Sequence, residues 1–213
     1  MKSLALIALA LPFLAQAQCV VNDQWLNRNY DQHIDYSNPN VQTDFFLLVF
    51  SNSPQFCKKE QQSGAIENFR FQCESPNHFG WVIHGLWGNS REAFISGNIR
   101  SQPRFCQGDL PKVPLSELKP YLCMSPGTKL LQGEWEKHGA CDFSSAKAYF
   151  SKEKELYQRF KLPSADVNAK TAVRWMRDNN PVLADKWLYR RGSEFGICFD
   201  RSFNVISCPK QSR

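Results

Sequence analysis

Residues 81–87 read Trp81-Val82-Ile83-His84-Gly85-Leu86-Trp87. The apolar run Trp81 to Ile83 delivers His84 to the end of what reads as a strand, and Gly85 breaks the run. A lone histidine there is more often structural than catalytic, so the surroundings decide. Upstream, Asp44-Phe45-Phe46-Leu47-Leu48-Val49-Phe50 is continuous and apolar and ends in Ser-Asn-Ser-Pro, which predicts a buried central strand. Phe69 to Cys73 alternates apolar and polar residues and predicts another strand. Helices are expected over Leu115–Leu122, preceded by Pro114, and starting at Glu134 and running through His138. A further helix is expected over Ser144–Phe160, capped by Ser144, with Phe150, Leu156, Tyr157 and Phe160 inward. Ala169–Asp178 predicts another, stopped by Asn179-Asn180-Pro181, and Gly196 to Val205 reads as a strand and turn. Strands early and late with helices between give an α+β pattern, not the strict alternation of a doubly wound parallel sheet.

A second stretch, Gly133-Glu134-Trp135-Glu136-Lys137-His138-Gly139-Ala140-Cys141, sets a carboxylate, an ammonium and an imidazole within five positions. On a helix, Glu134, Lys137 and His138 share one face while Trp135 turns to the interior. By itself such a stretch is more often an amphipathic helix start with an ordinary charge pair. The two stretches together say more. Each holds a histidine followed by glycine with a tryptophan nearby, and the chain has only 4 histidines.

These residues resemble the ribonuclease T-two family, secreted acid ribonucleases that include the plant self-incompatibility enzymes. His84-Gly85-Leu86-Trp87 is similar to the family's first active-site motif, and Glu134 to Cys141 to its second. The resemblance extends to Phe45–Cys57, to Pro103 and Cys106, to Ala148-Tyr149-Phe150, and to Cys198 through Pro209. It implies one disulfide-stapled domain with a central, mostly antiparallel sheet and packed helices. It also implies an endoribonuclease that cuts single-stranded RNA through a 2′,3′-cyclic phosphate without cofactor or metal, with His138 as base and His84 as acid. The residues alone leave those two roles interchangeable. Some positions depart from the family pattern. Its third histidine is replaced by Gly133, with His78 as a substitute unless it is merely a solvated loop residue. The proline after the first motif is Gly88, and the first strand's Gln-Trp is replaced around Phe50-Ser51-Asn52. His33 has no motif around it.

The chemistry fits the residue types. RNA carries its own nucleophile, the 2′-hydroxyl, so cleavage needs a base, an acid and positive charge for the transition state. Imidazoles suit both proton roles because their ordinary pKa is about 6.5. Lys137 can stabilise the non-bridging oxygens, and Glu134 can hold Lys137 or His138. Trp87 is a candidate for stacking on a base, with core packing as the alternative. Cys141 reads as half of a disulfide, not as a nucleophile. Two other classes compete: a non-catalytic exported binding protein on the same scaffold, and a secreted metal-dependent hydrolase using His and Glu.

Residues 1–17 read as a signal peptide: Lys2, the apolar stretch Leu4–Leu14, and the cleavage site Ala15-Gln16-Ala17. Residues 18–213 are then a single catalytic domain, periplasmic or extracellular, expected to be a monomer with no membrane association and no obligate protein partner. The formal charge of +6 agrees with a polyanionic substrate without requiring one. The 8 cysteines of an exported chain imply disulfides, and no Cys-x-x-Cys pair points to zinc or a redox site. The resemblance implies Cys106–Cys141 and Cys73–Cys123. Cys198–Cys208 would staple the closing hairpin, which leaves Cys19–Cys57. The polar stretch Asn22–Thr43 is expected to be the most flexible.

Overall fold

The computed structural model describes residues 19–211, so the expected signal peptide lies outside the described residues. The apolar run becomes β1 (Phe45–Asn52), which extends into α1 (Ser53–Gln62) through Asn52, whose side chain caps the helix. Next come α2 (Arg70–Cys73), β2 (Trp81–Asn89), α3 (Arg91–Ser96) and α4 (Leu115–Leu118). Then follow α5 (Thr128–Glu134), a wide π turn over Trp135–Gly139, α6 (Ala140–Asp142), α7 (Ala146–Gln158) and α8 (Ala169–Asn179). The chain closes with β3 (Tyr189–Arg191), β4 (Glu194–Phe199) and β5 (Val205–Ile206).

The sheet order is β2-β1-β4-β3 with β5 also on β4, and every pairing is antiparallel. Both faces of β1 are covered, as its unbroken apolar run requires. Phe46, Leu48 and Phe50 point into the main core with Leu86, Ile197 and Phe199. Phe45, Leu47 and Val49 form a smaller cluster on the other face with Phe94 and the Cys198–Cys208 disulfide. Helix α7 packs on the main core through Tyr149, Phe150 and Leu156.

Several expectations are corrected. Phe69–Cys73 is not a strand but a short 3-10 turn (Ile66–Phe69) running into α2. Arg70 meets Glu67 and Glu74 at the helical spacings i−3 and i+4, a signal stronger than alternation over five residues. That helix lies beside α1 and joins Cys57 to Cys73; Cys19 crosses to Cys123. The pairings Cys73–Cys123 and Cys19–Cys57 are therefore wrong, while Cys106–Cys141 and Cys198–Cys208 form as expected. Glu134 ends a helix rather than starting one. Ser145, not Ser144, caps α7, by accepting from the Ala148 amide at 3.2 Å. The stretch Asn22–Thr43 has little regular structure, yet it buries Leu26 and Tyr30 and anchors the Tyr30 hydroxyl on the Val113 carbonyl at 2.8 Å.

Candidate active site

Strand β2 carries an irregularity where the chemistry is expected. Gly85 pairs with Val49 and Ile83 with Phe50, so His84 is an extra residue with no partner on β1. A bulge of this kind re-aims side chains. Along a regular strand, positions three apart point to opposite faces. Here His84 and Trp87 come together, with ring centroids 5.2 Å apart.

Glu134, at the end of α5, reaches over this strand. Its Oε2 accepts from Trp87 Nε1 at 2.6 Å, and its Oε1 lies 3.8 Å from His84 Nε2. Gly85 makes the approach possible, because a Cβ there would sit 1.9 Å from Glu134 Oε2. The π turn then presents Lys137 and His138. Such turns inside helices are frequent at functional sites. The His138 ring lies at a tilt to Trp87, with ring centroids 5.6 Å apart. Both imidazoles therefore lie against the same indole. Trp135 turns into the core beside Tyr149, as expected.

His84, Trp87, Glu134, Lys137 and His138 all line one cavity of about 380 Å³. A second cavity, of about 490 Å³, adjoins it and is lined by His84, Trp87, Phe56, Phe69, Lys129 and Glu194 among others. His84 borders both; His138 borders only the first.

Two participants were not legible in the sequence. Glu194, at the start of β4, meets His84 Nδ1 at 2.6 Å. Arg104 lines the smaller cavity, bound through Nε and Nη2 to Asp35 and lying over the Tyr36 ring. Neither residue lies in a recognisable motif, and both arrive through tertiary contacts. His78 is exposed and borders a different cavity beside Cys19 and Cys123, so it does not replace the missing histidine. The position of that histidine, Gly133, is covered by the Gln32 side chain. His33 is exposed and outside both site cavities.

The two imidazoles differ in charge preference. Burial works against protonation of His84, but the Glu194 hydrogen bond and the charges of Glu134 and Glu194 outweigh it and raise its pKa. His138 is held well below the ordinary value, first by burial and then by the nearby charges of Arg104, Lys137 and His84. Its Nδ1 is buried with no hydrogen-bond partner among the described residues. Burial also raises the Glu134 carboxyl, against the charges of His84 and Lys137 and the Trp87 bond.

Residues 43–172 match the model of the Ribonuclease T2 family. The chain belongs to this family. A probable ribonuclease of Haemophilus influenzae is 40% identical over 191 residues, spanning 86% of this chain and 69% of that protein. Ribonuclease T2 of Danio rerio is 24% identical over 191 residues, 78% of this chain and 73% of that one. Among solved structures, an RNase-related protein from Calystegia sepium superposes with TM-score 0.58 at 20% identity, over 80% of this chain and 93% of its own. RNase NT in complex with 5′-AMP gives 0.55 at 16% identity, over 81% and 93%. This ribonuclease T2 member is thus an RNA-cleaving endoribonuclease on the α+β, disulfide-stapled fold of its relatives.

Proposed function

We propose that the protein is an exported, metal-independent endoribonuclease that cleaves single-stranded RNA by transesterification to a 2′,3′-cyclic phosphate. The observation that carries this reading is the pair of imidazoles that line one cavity beside Trp87, with pKa values pushed in opposite directions. Such divergence is how acid and base are assigned in sites of this kind. His138, kept neutral, takes the proton of the 2′-hydroxyl as O2′ attacks phosphorus. His84, kept charged, gives a proton to the departing 5′-oxygen as its bond to phosphorus breaks. Lys137 stabilises charge on the non-bridging oxygens, with Arg104 as a second cation on the same cavity wall. Glu134 fixes Trp87 and faces His84.

The cavities suggest a direction for the strand. His138 borders only the smaller cavity, so the nucleoside carrying the attacking hydroxyl belongs there. His84 borders the larger cavity as well, so the departing nucleoside belongs there. Trp87 faces both and offers its indole to a base. Four disulfides and the family support export, with residues 1–17 as the signal and 18–213 as the catalytic domain, acting as a monomer. The test is product analysis on a short RNA in excess chelator. Cyclic phosphate ends are expected, together with resistance wherever a 2′-deoxy sugar replaces the ribose. Activity that needs added metal, or cleavage at a deoxy position, would sink the reading.

A further inference from the structure

Strands β2 and β4 are not neighbours, because β1 runs between them. Two strand spacings come to nearly 10 Å, too far for most side-chain pairs to bridge. His84 and Glu194 meet nevertheless, for two local reasons. Ser51 of β1 pairs with Val82 on one side and Glu194 on the other, so only a small side chain lies in the gap. The bulge then frees His84 to lean across. The contact is short, 2.6 Å from Nδ1 to Oε1, and Glu194 keeps 22% of its side chain exposed. Nδ1 is thereby committed to Glu194. Nε2 is left on the side of the ring where Glu134 and the cavity lie.

We propose that Glu194 is the positioning residue for His84, fixing the ring so that Nε2–H points at the leaving oxygen. The inference rests on His84 being the acid. In the transfer, the Nε2 proton goes to the 5′-oxygen as its bond to phosphorus breaks, while the Nδ1 proton stays on the ring, shared with Glu194. A carboxylate behind an imidazole in this way selects its tautomer and stabilises its charged form. The other groups facing His84 are Glu134 at the end of α5, Lys137 and His138 on the π turn, and Tyr189 and Arg191 of β3 at the cavity rim. Lys137 opposes protonation, whereas Glu134 and Glu194 favour it. Glu134 also accepts the Trp87 N–H, so Glu194 is the carboxylate devoted to His84.

The test compares a dinucleoside monophosphate with a nucleoside 3′-(4-nitrophenyl phosphate), whose leaving group departs without help from an acid. Glu194→Gln keeps the size and hydrogen bonding but loses the charge. On the dinucleotide its kcat/KM is expected to fall by about tenfold or more, and the high-pH limb of the profile to move to lower pH. On the nitrophenyl substrate the loss should shrink to within about threefold. Equal losses on both substrates, or an unmoved high-pH limb, overturn the inference. His84→Ala run in parallel separates the two claims. If His84→Ala recovers on the nitrophenyl ester and Glu194→Gln does not, only the Glu194 assignment fails. If His84→Ala also loses equally on both, the acid role of His84 fails with it.

Discussion

Glu153 lies on the buried side of α7, 1% exposed, and its Oε1 has no hydrogen-bond partner among the described residues. Burial is the main reason its pKa rises from 4.5 to about 8, and the charge of Glu134 adds to it; Tyr149 and the Leu86 backbone offset only part of the rise. The consequence for stability follows from proton counting. Between about pH 4.5 and pH 8 the unfolded chain has lost this proton while the native protein still holds it. The native state then binds more protons, so stability falls as pH rises through that window. At about 1.4 kcal/mol for each pH unit, the full loss is on the order of 5 kcal/mol. That is a large part of the 5–15 kcal/mol typical of a folded domain. Glu153→Gln mimics the protonated carboxyl and cannot ionise. Its stability should match the wild type near pH 4 and exceed it progressively up to about pH 8, with the gap constant beyond. Glu136, also buried and raised, slopes the same way but is common to both proteins, so it drops out of the difference. Urea unfolding from pH 4 to pH 9 measures the gap. Parallel curves for the two proteins would refute the reasoning.

Lys137→Ala should lower kcat by on the order of a hundredfold with a much smaller change in KM, because its charge acts on the transition state; steady-state kinetics on a dinucleotide would show it. Gly85→Ala should push Glu134 off the Trp87 indole, since no Cβ fits 1.9 Å from Oε2. It should cost about 1–3 kcal/mol of stability along with activity, read by urea unfolding and an RNA assay. Arg104→Ala should raise KM for RNA and reduce the steepness with which KM depends on salt by roughly one phosphate contact, measured from low to moderate ionic strength. An unchanged salt dependence would place Arg104 in structural work alone.

What the sequence could and could not convey divides along the range of the interactions. Phe45–Phe50 is apolar without interruption, so its burial was visible, and so was the inward face of α7. Trp135 and Cys141 took their expected places. Local patterns failed where they were short. Five alternating residues at 69–73 looked like a strand, and the helical Arg70–Glu67 and Arg70–Glu74 pairs were the better guide. The pairing of Cys73 failed separately: the resemblance implied Cys123 as its partner, whereas the helix at Cys73 packs on α1 and joins Cys57. In the site, His84, Trp87, Glu134, Lys137 and His138 lie inside two motifs, and all five line the 380 Å³ cavity. Glu194 is 110 positions from His84 and Arg104 is 69 from Asp35, so their partners depend on the sheet and on the path of the N-terminal segment. The bulge was hidden for a related reason: it exists only in the register of β2 against β1.

The extra residue in β2 makes catalysis depend on chain length as well as on chemistry. Taking His84 out altogether, rather than replacing it, would leave Ile83 opposite Phe50 and Gly85 opposite Val49, a continuous ladder with no gap to close. Most deletions inside a central sheet throw every later side chain onto the wrong face. This one would spare the pairing on both sides and remove only the residue that the sheet does not use. The scaffold therefore carries a spare coding position, and a lineage that lost three nucleotides there would keep a folded, disulfide-linked protein while giving up RNA cleavage.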